Sequence, residues 1–312
     1  VVVKHTPYEQ YSLMKAQGKA PLALRWMRLK NRFMAHRSTV DGVKDILSNL
    51  DVKYKVVGRE ELDRQHIEDV DLVIAVGGDG TVLSSSHFLN DSLPLLGVNS
   101  DPTLEHERGQ HKKTDERRSM GALCLCTAEN MKEQLPKILQ GEIRPHRRSR
   151  IQAVIKSTFT ETKLPPALND ILIAHPEPAA VSRFKLGFYE GEREKFSLNV
   201  WSSGLWICTA TGSTAAMKAA GGFPMQPDSR DLQYMVREHL FGEGAAAEGR
   251  KQGHGKVKDG QRVRIRWNSL AGYCYVDGAH AKHPLMLGDE IELAAVAPPL
   301  WLFSSSRWTM DD

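Results

Sequence analysis

Cysteine is scarce. Cys124, Cys126, Cys208 and Cys274 are all that the 312 residues contain. So few thiols in so long a chain exclude a disulfide-built fold, and one residue between Cys124 and Cys126 is not the spacing of a zinc knuckle. They are read as reduced core thiols. No apolar run approaches the ~20 residues of a membrane span, and no secretory leader is visible. The first residue is Val1 rather than Met, so the missing leader carries no weight. The twelve histidines form no HExxH or paired spacing, which argues against a protein-held zinc ion. Neither the P-loop GxxxxGK[ST] nor the dinucleotide fingerprint GxGxxG occurs. Lys251, Lys256, Lys258, Arg262, Arg264 and Arg266 make a basic stretch, but only Trp267 offers a base-stacking ring, which argues against nucleic acid.

What is present is an ordinary soluble composition, 41% hydrophobic and 26% charged, with a formal net charge of +4. The length suggests about two domains. Residues 1–100 alternate strand-like and helix-like patterns: Val1–Val3, one long or two shorter helices in Leu22–Leu50, a strand at Lys53–Val57 and a short polar helix from Glu60. Asp71–Val76 is a nearly continuous apolar run, as expected of a strand buried on both faces of a parallel sheet. A helix from Thr81 and a strand at Leu93–Val98 follow. This rhythm predicts an open α/β domain over 1–145. Residues 101–119 are a dense mixed-charge patch, read as a solvated loop with a mobile lid as the functional alternative. Residues 127–140 read as a helix stopped by Gly141.

Beyond Pro145 short alternating segments take over: Ile151–Ile155, Leu168–Ala174, Phe184–Tyr189, Phe196–Trp201, Arg262–Trp267 and Gly272–Val276. They predict a mostly-β domain over 146–289. Residues 242–260 read as a flexible connection, and 290–312 as a tail returning to the first domain. Arg144, Arg147, Arg148 and Arg150 at the junction read as a solvated face, with phosphate steering as the alternative. His175 reads as structural.

Gly77-Gly78-Asp79-Gly80-Thr81 follows a buried strand and opens a helix. Glycines let the backbone approach a ligand closely, and a helix start offers unpaired N–H groups to a phosphate. Asp79 is the odd member, because phosphates repel a carboxylate. It can accept a proton from an attacking hydroxyl, help to hold Mg²⁺ on the phosphates, or satisfy backbone N–H groups in a turn.

A GGDGT loop after a strand resembles the nucleotide site of the superfamily containing NAD kinases, 6-phosphofructokinases, diacylglycerol kinases and sphingosine kinases. Leu168-Asn169-Asp170-Ile171-Leu172 resembles the Asn-Glu/Asp motif of NAD kinases, and Gly204–Ala216 their second Gly/Thr-rich motif. The three follow in the family's order and spacing. The likeness runs from about Val70 to Glu238 and leans toward plant-type NADH kinases. It implies an α/β domain with an open parallel sheet joined to a mostly-β domain, and phosphorylation of the adenosine 2′-hydroxyl of NADH or NAD⁺ by ATP, with Mg²⁺ carried on the triphosphate and no metal held by the protein. It implies Asp79 as general base. Gly78, Gly80 and Thr81 would cradle phosphates. Asn169 and Asp170 would bind the dinucleotide's ribose and base. Thr211, Gly212, Ser213, Thr214 and Ala215 would line its pocket, and Asp277 would add a contact. A homodimer in the cytoplasm is expected, with the peroxisome or another organelle as the alternative compartment. The chain ends in Asp311-Asp312, which is no peroxisomal tripeptide.

Three departures stand out, one of them Ala210 where many NAD kinases carry a Pro. Ser203-Gly204 replaces an Asp-Gly found in many NAD kinases, and the missing negative charge would favour the neutral reduced ring over the cationic oxidised one. The Gly-rich stretch that commonly follows the strand-end Asn is absent from Asn99-Ser100-Asp101-Pro102. A lipid or sugar kinase of the same superfamily, or a dinucleotide-binding protein without catalysis, are the rival readings.

Overall fold

The structure is a computed structural model that describes residues 1–102, 119–240 and 252–304. The mixed-charge patch therefore lies almost wholly outside the described residues. The chain divides into two compact units, Val1–His146 with residues 301–304, and Arg147–Leu300.

The first unit opens with β1 (Val2–Val3), α1 (Pro7–Ala16), α2 (Trp26–Asn49) and β2 (Val57–Gly58). It continues with β3 (Val73–Gly77), α3 (Asp79–Ser86), β4 (Leu95–Asn99), β5 (Cys126–Thr127) and α4 (Met131–Leu139). The strands pair in parallel, β2-β1-β3-β4, with β5 also beside β4. Every residue of β3 and β4 is buried, which explains their continuous apolar runs. Leu22–Leu50 yields a single helix, whose Val40, Val43 and Leu47 pack with α4 on Ile74, Val76, Leu96 and Val98. The strand expected at Lys53–Val57 shrinks to β2, because Lys53–Val56 are exposed. The sequence reading has no counterpart of α1. Its start is capped reciprocally: Glu9 N donates to Thr6 Oγ1 at 3.4 Å and Thr6 N to the Glu9 carboxylate at 2.8 Å, with Pro7 in the first turn. Gly141 stops α4 in a left-handed turn (φ 78°) and donates to Ile138 O.

β6 (His146–Arg148) leads into the second unit, which begins with β7 (Gln152–Lys156), β8 (Glu161–Lys163), β9 (Asp170–Ala174), β10 (Ser182–Glu190) and β11 (Arg193–Ser202). There follow β12 (Gly204–Cys208), α5 (Ala216–Ala219), β13 (Leu232–Arg237), β14 (His254–Val257), β15 (Gln261–Trp267), β16 (Ala271–Val276), β17 (Ala281–Met286) and β18 (Glu290–Ala294). Two antiparallel sheets result, β11-β10-β15-β18-β7-β8 and β14-β13-β12-β9-β16-β17. Their alternating inward residues, among them Ile171, Ile173, Phe184, Leu205, Ile207, Trp267 and Ile291, share one apolar core. The expected flexible connection is partly strand, since β14 pairs with β13. The expected tail likewise begins inside this unit: β18 lies between β15 and β7, with Ile291 and Leu293 fully buried. The chain changes unit only at 300/301, where β19 (Leu300–Phe303) joins β4 in parallel.

The arginine cluster is not a solvated face throughout. Arg148 and Arg150 are buried, and Arg150 Nε donates to Pro298 O at 2.7 Å while Arg148 Nη1 reaches Pro227 O. Three thiols, Cys126, Cys208 and Cys274, are buried and free, and burial pushes each up to about 12. Arg262 and Arg264 are paired with Glu192 and Glu292, and Lys258 with Asp231, so much of the basic stretch is neutralised. Among the described residues, no helix is long and apolar enough to cross a membrane.

Candidate active site

The loop Gly77–Thr81 occupies the carboxyl end of β3 and the start of α3. Gly78 is the N-cap and Asp79 the first helical residue. The glycines have separate reasons. A Cβ at Gly77 would collide with the Thr81 side chain, and one at Gly78 with Ser119. At Gly80 a Cβ would meet nothing within 4 Å, so the space beside that exposed residue is open. Thr81 is buried beneath the loop, with its hydroxyl out of solvent and unpartnered among the described residues.

Asp79 is fixed by tertiary bonds rather than by its own turn. Oδ2 accepts from Gly121 N at 3.1 Å, Ala122 N at 3.2 Å and, more weakly, Ser119 Oγ at 3.4 Å. Oδ1 accepts from Leu123 N at 2.9 Å. A carboxylate oxygen has two lone-pair directions, so Oδ1 retains one for a ligand proton. Ser119–Leu123 were not singled out from the sequence. A parallel bridge pairs Ser119 with Pro102. Asn99 Nδ2 donates to Ser119 O at 3.3 Å, and Gly121, in a left-handed conformation (φ 69°), packs on Asn99. A glycine turn does stand beside the strand-end Asn, displaced along the sequence by residues 103–118. The Gly121 in Met120-Gly121-Ala122-Leu123 was the available signal.

In the second unit, a cavity of about 560 Å³ lies over the outer face of β9, β12 and β16. Leu172, Trp206 and Tyr275 form its floor. They are cross-strand neighbours, Trp206 and Tyr275 both standing opposite Leu172, on the face left outward when Ile171, Ile173, Leu205, Ile207, Cys274 and Val276 turn into the core. Its polar end is Asn169, Asp170 and Asp277. Asn169 Oδ1 is out of solvent and without a partner among the described residues. Asp277, in a left-handed conformation (φ 52°), receives Leu168 N at 2.8 Å, Asn169 N at 2.7 Å and Asp170 N at 3.1 Å. Its carboxylate thus holds the Asn169-Asp170 turn. Burial, assisted by the Asp277 charge, pushes the Asp170 carboxyl up to about 7.

The loop after β12 braces this turn from the other side. Thr209 N donates to Asn169 O at 2.9 Å and Thr209 Oγ1 to Leu168 O. Gly212 packs so closely on Asn169 that a Cβ would overlap its carbonyl. Ser213 is fully buried, donating to Ala210 O and receiving Met225 N. Of Thr211, Gly212, Ser213, Thr214 and Ala215, Ala215 lines this cavity. Thr211, Gly212 and Ser213 lie buried behind it, and Thr214 is half-buried. His175 stands at the other end of β9, where its Nδ1 accepts from Glu177 N.

With this geometry established, the comparisons decide the family. A family described as ATP-NAD kinase N-terminal domain matches residues 27–103. An NADH kinase from Arabidopsis thaliana is 44% identical over 306 residues, 96% of this chain and 93% of the relative. The chain belongs to the NAD kinase family. A probable NADH kinase from Oryza sativa subsp. japonica is 42% identical over 87% of this chain and 82% of its own. Two solved structures share the fold. Yeast NADH kinase complexed with NADH has a TM-score of 0.62 at 17% identity, covering 83% of this chain and 69% of that one. An NAD kinase from Archaeoglobus fulgidus in complex with ATP has a TM-score of 0.63 at 20% identity, covering 86% and 90%.

Against that family, one departure changes meaning. Ser203 donates a hydrogen bond to the Glu238 carboxylate. Glu238 lines a second cavity, of about 410 Å³, with Arg237, Met235, Trp206 and Ala216, and Arg237 lies over the Trp206 ring at 4.7 Å. A carboxylate is therefore present beside position 203, supplied by Glu238. That carboxylate is itself paired with a cation, the Arg237 Nε standing 3.8 Å from Glu238 Oε2.

Proposed function

We propose that this chain phosphorylates the adenosine 2′-hydroxyl of NADH, and of NAD⁺, with a nucleoside triphosphate as donor. The hydroxyl oxygen attacks the γ-phosphorus, the bond to the β–γ bridging oxygen breaks, the nucleoside diphosphate leaves, and the hydroxyl proton passes to Asp79. The donor enters as its magnesium salt, so the metal is part of the substrate and neutralises the departing charge. Asn169 and Asp170 are assigned to ribose and base, with Trp206, Leu172 and Tyr275 as the apolar floor.

One observation carries the reading. The glycine loop holds a carboxylate that is rigidly placed by three backbone N–H groups and still has an Oδ1 lone pair for a hydroxyl proton. The plant relatives named NADH kinase support it across nearly the whole chain. A lipid or sugar kinase would have no use for the Asn169–Asp170–Asp277 turn over an aromatic floor. A non-catalytic binder would have no use for the placed Asp79. A homodimer belongs to the same proposal, and sedimentation tests it.

The test is NADPH formation from MgATP with NADH and NAD⁺ side by side. Wild type should turn over and stop on EDTA addition. Asp79→Asn should lower kcat by about a thousandfold or more while NADH still binds. Full activity in that variant removes Asp79 as the base.

A further inference from the structure

The parallel strands of the first unit all end on one side of the sheet. β1 runs into Lys4, β2 into Arg59, β3 into Gly77–Asp79, and β4 into Ser100 and Asp101. Backbone bonds tie these ends together. Lys4 N donates to Val76 O at 3.1 Å, Arg59 N to Val3 O at 2.9 Å and Ser100 N to Gly77 O at 2.9 Å. Lys4 is the direct neighbour of the glycine loop: a Cβ at Gly77 would stand 3.1 Å from Lys4 Cβ.

Strand order makes this place special. From β1 the chain moves outward to β2 on one side, and from β3 outward to β4 on the other. The connecting helices take opposite faces. α2 packs on Ile74, Val76, Leu96 and Val98, whereas Val82 of α3 packs against Gly97, which points the other way from Leu96 and Val98. Where connections diverge to opposite faces, a crevice opens beyond the carboxyl ends of the strands, and open α/β sheets bind ligands there. Here that change of direction falls between β1 and β3, with Lys4 at the end of one strand and Gly77–Asp79 at the end of the other.

The charge of this place fits an anion. Lys4 is half-buried, and its ammonium feels two further cations, Arg32 and Arg59, and one carboxylate, Asp101. Arg32 Nε stands 3.5 Å from Asp101, and Arg59 pairs with its neighbour Glu60 at 2.8 Å. Among the described residues, no hydrogen bond or ion pair holds the Lys4 ammonium. Desolvation, opposed by Asp101, holds it below the usual lysine value. An ammonium kept from water beside like charges gains most from a ligand that brings several negative oxygens.

We propose that Lys4 is a phosphate contact for the donor, its ammonium gripping the polyphosphate of the nucleoside triphosphate beyond the carboxyl ends of β1 and β3, with Arg32 and Arg59 reinforcing the field. This deepens the kinase reading and rests on it for the class of ligand. The ammonium is a point charge that can follow the phosphoryl oxygens as charge builds on the departing diphosphate.

Two measurements test it. Acetylation of Lys4 in the wild-type chain, read by mass spectrometry, should slow when MgATP is added and stay unchanged with NADH alone. In Lys4→Met, the Kd for MgATP by calorimetry and its KM should rise about tenfold, with the KM for NADH within about twofold, and Lys4→Arg should recover much of the loss. Unchanged acetylation with MgATP, or an unchanged MgATP affinity in folded Lys4→Met, overturns the proposal. The two readings fail separately. MgATP protection of Lys4 in a protein that makes no NADPH sinks the reaction and keeps the site. NADPH formation without protection sinks the site alone.

Discussion

At the scale of the residue, Asp170 carries the sharpest consequence. Its carboxyl titrates near 7 because it is withdrawn from water and stands beside Asp277, whereas in an unfolded chain it would titrate at about 3.9. Folding therefore favours the protonated form. The penalty is absent below about pH 4, grows as pH rises through 7 and is constant above it. Asp170→Asn should accordingly gain melting temperature over wild type progressively between pH 4 and 7, with no further gain at pH 8. Dinucleotide binding should run the other way. An ionised Asp170 accepts from ribose hydroxyls more strongly than a protonated one, so calorimetric affinity for NADH should rise from pH 6 to pH 8 in wild type and stay flat in the variant. Asp277 shows how much of a motif is infrastructure. The resemblance implied a ligand contact; the carboxylate lines the polar end of the cavity and also receives three backbone N–H groups, which keeps the Asn169-Asp170 turn in shape.

At the scale of the element, β3 ends in the glycine loop and delivers it to the start of α3, and the Asn169-Asp170 turn opens β9 beside the loop that follows β12. Gly212 is the tightest point of the second arrangement, since any side chain there must displace the Asn169 carbonyl. Backbone cannot give way as a flexible side chain can. Gly212→Ala should lower the melting temperature and weaken NADH binding about tenfold or more, while leaving MgATP affinity unchanged in the same calorimetric series. Legibility follows burial. β3 and β4 were readable because they are covered on both faces. β14 was not, because Gly255 and Lys256 mark a loop by composition and only pairing with β13 makes them a strand. α1 was readable in principle: the Thr6-Pro7-Tyr8-Glu9 cap was there, without a strong apolar stripe to draw attention to it.

At the scale of the whole molecule, the chain leaves the first unit after His146 and re-enters it at Trp301. The returning β19 extends the parallel sheet beside β4 and buries Leu302 completely and Phe303 nearly so. Those two side chains contribute about 3–6 kcal/mol of burial, a large share of the ~5–15 kcal/mol that holds a domain together. Truncation after Pro299 should therefore destabilise the first unit. The expected outcome is rapid proteolysis within residues 1–146, followed by mass spectrometry, with the second unit's core still resistant.

The sequence by itself determined the chemistry: a carboxylate in a glycine loop after a doubly buried strand, an Asn-Asp turn, and a Gly/Thr-rich loop in one family's order. These are local signals, set by neighbouring residues and their periodicity. Only the tertiary structure decided that Ser119–Leu123 anchor Asp79, that Trp206 and Tyr275 make one floor with Leu172, that Glu238 stands beside Ser203, and that Lys4 stands beside Gly77. Each of those joins residues far apart in the chain, and strand pairing, which no local pattern encodes, brings them together.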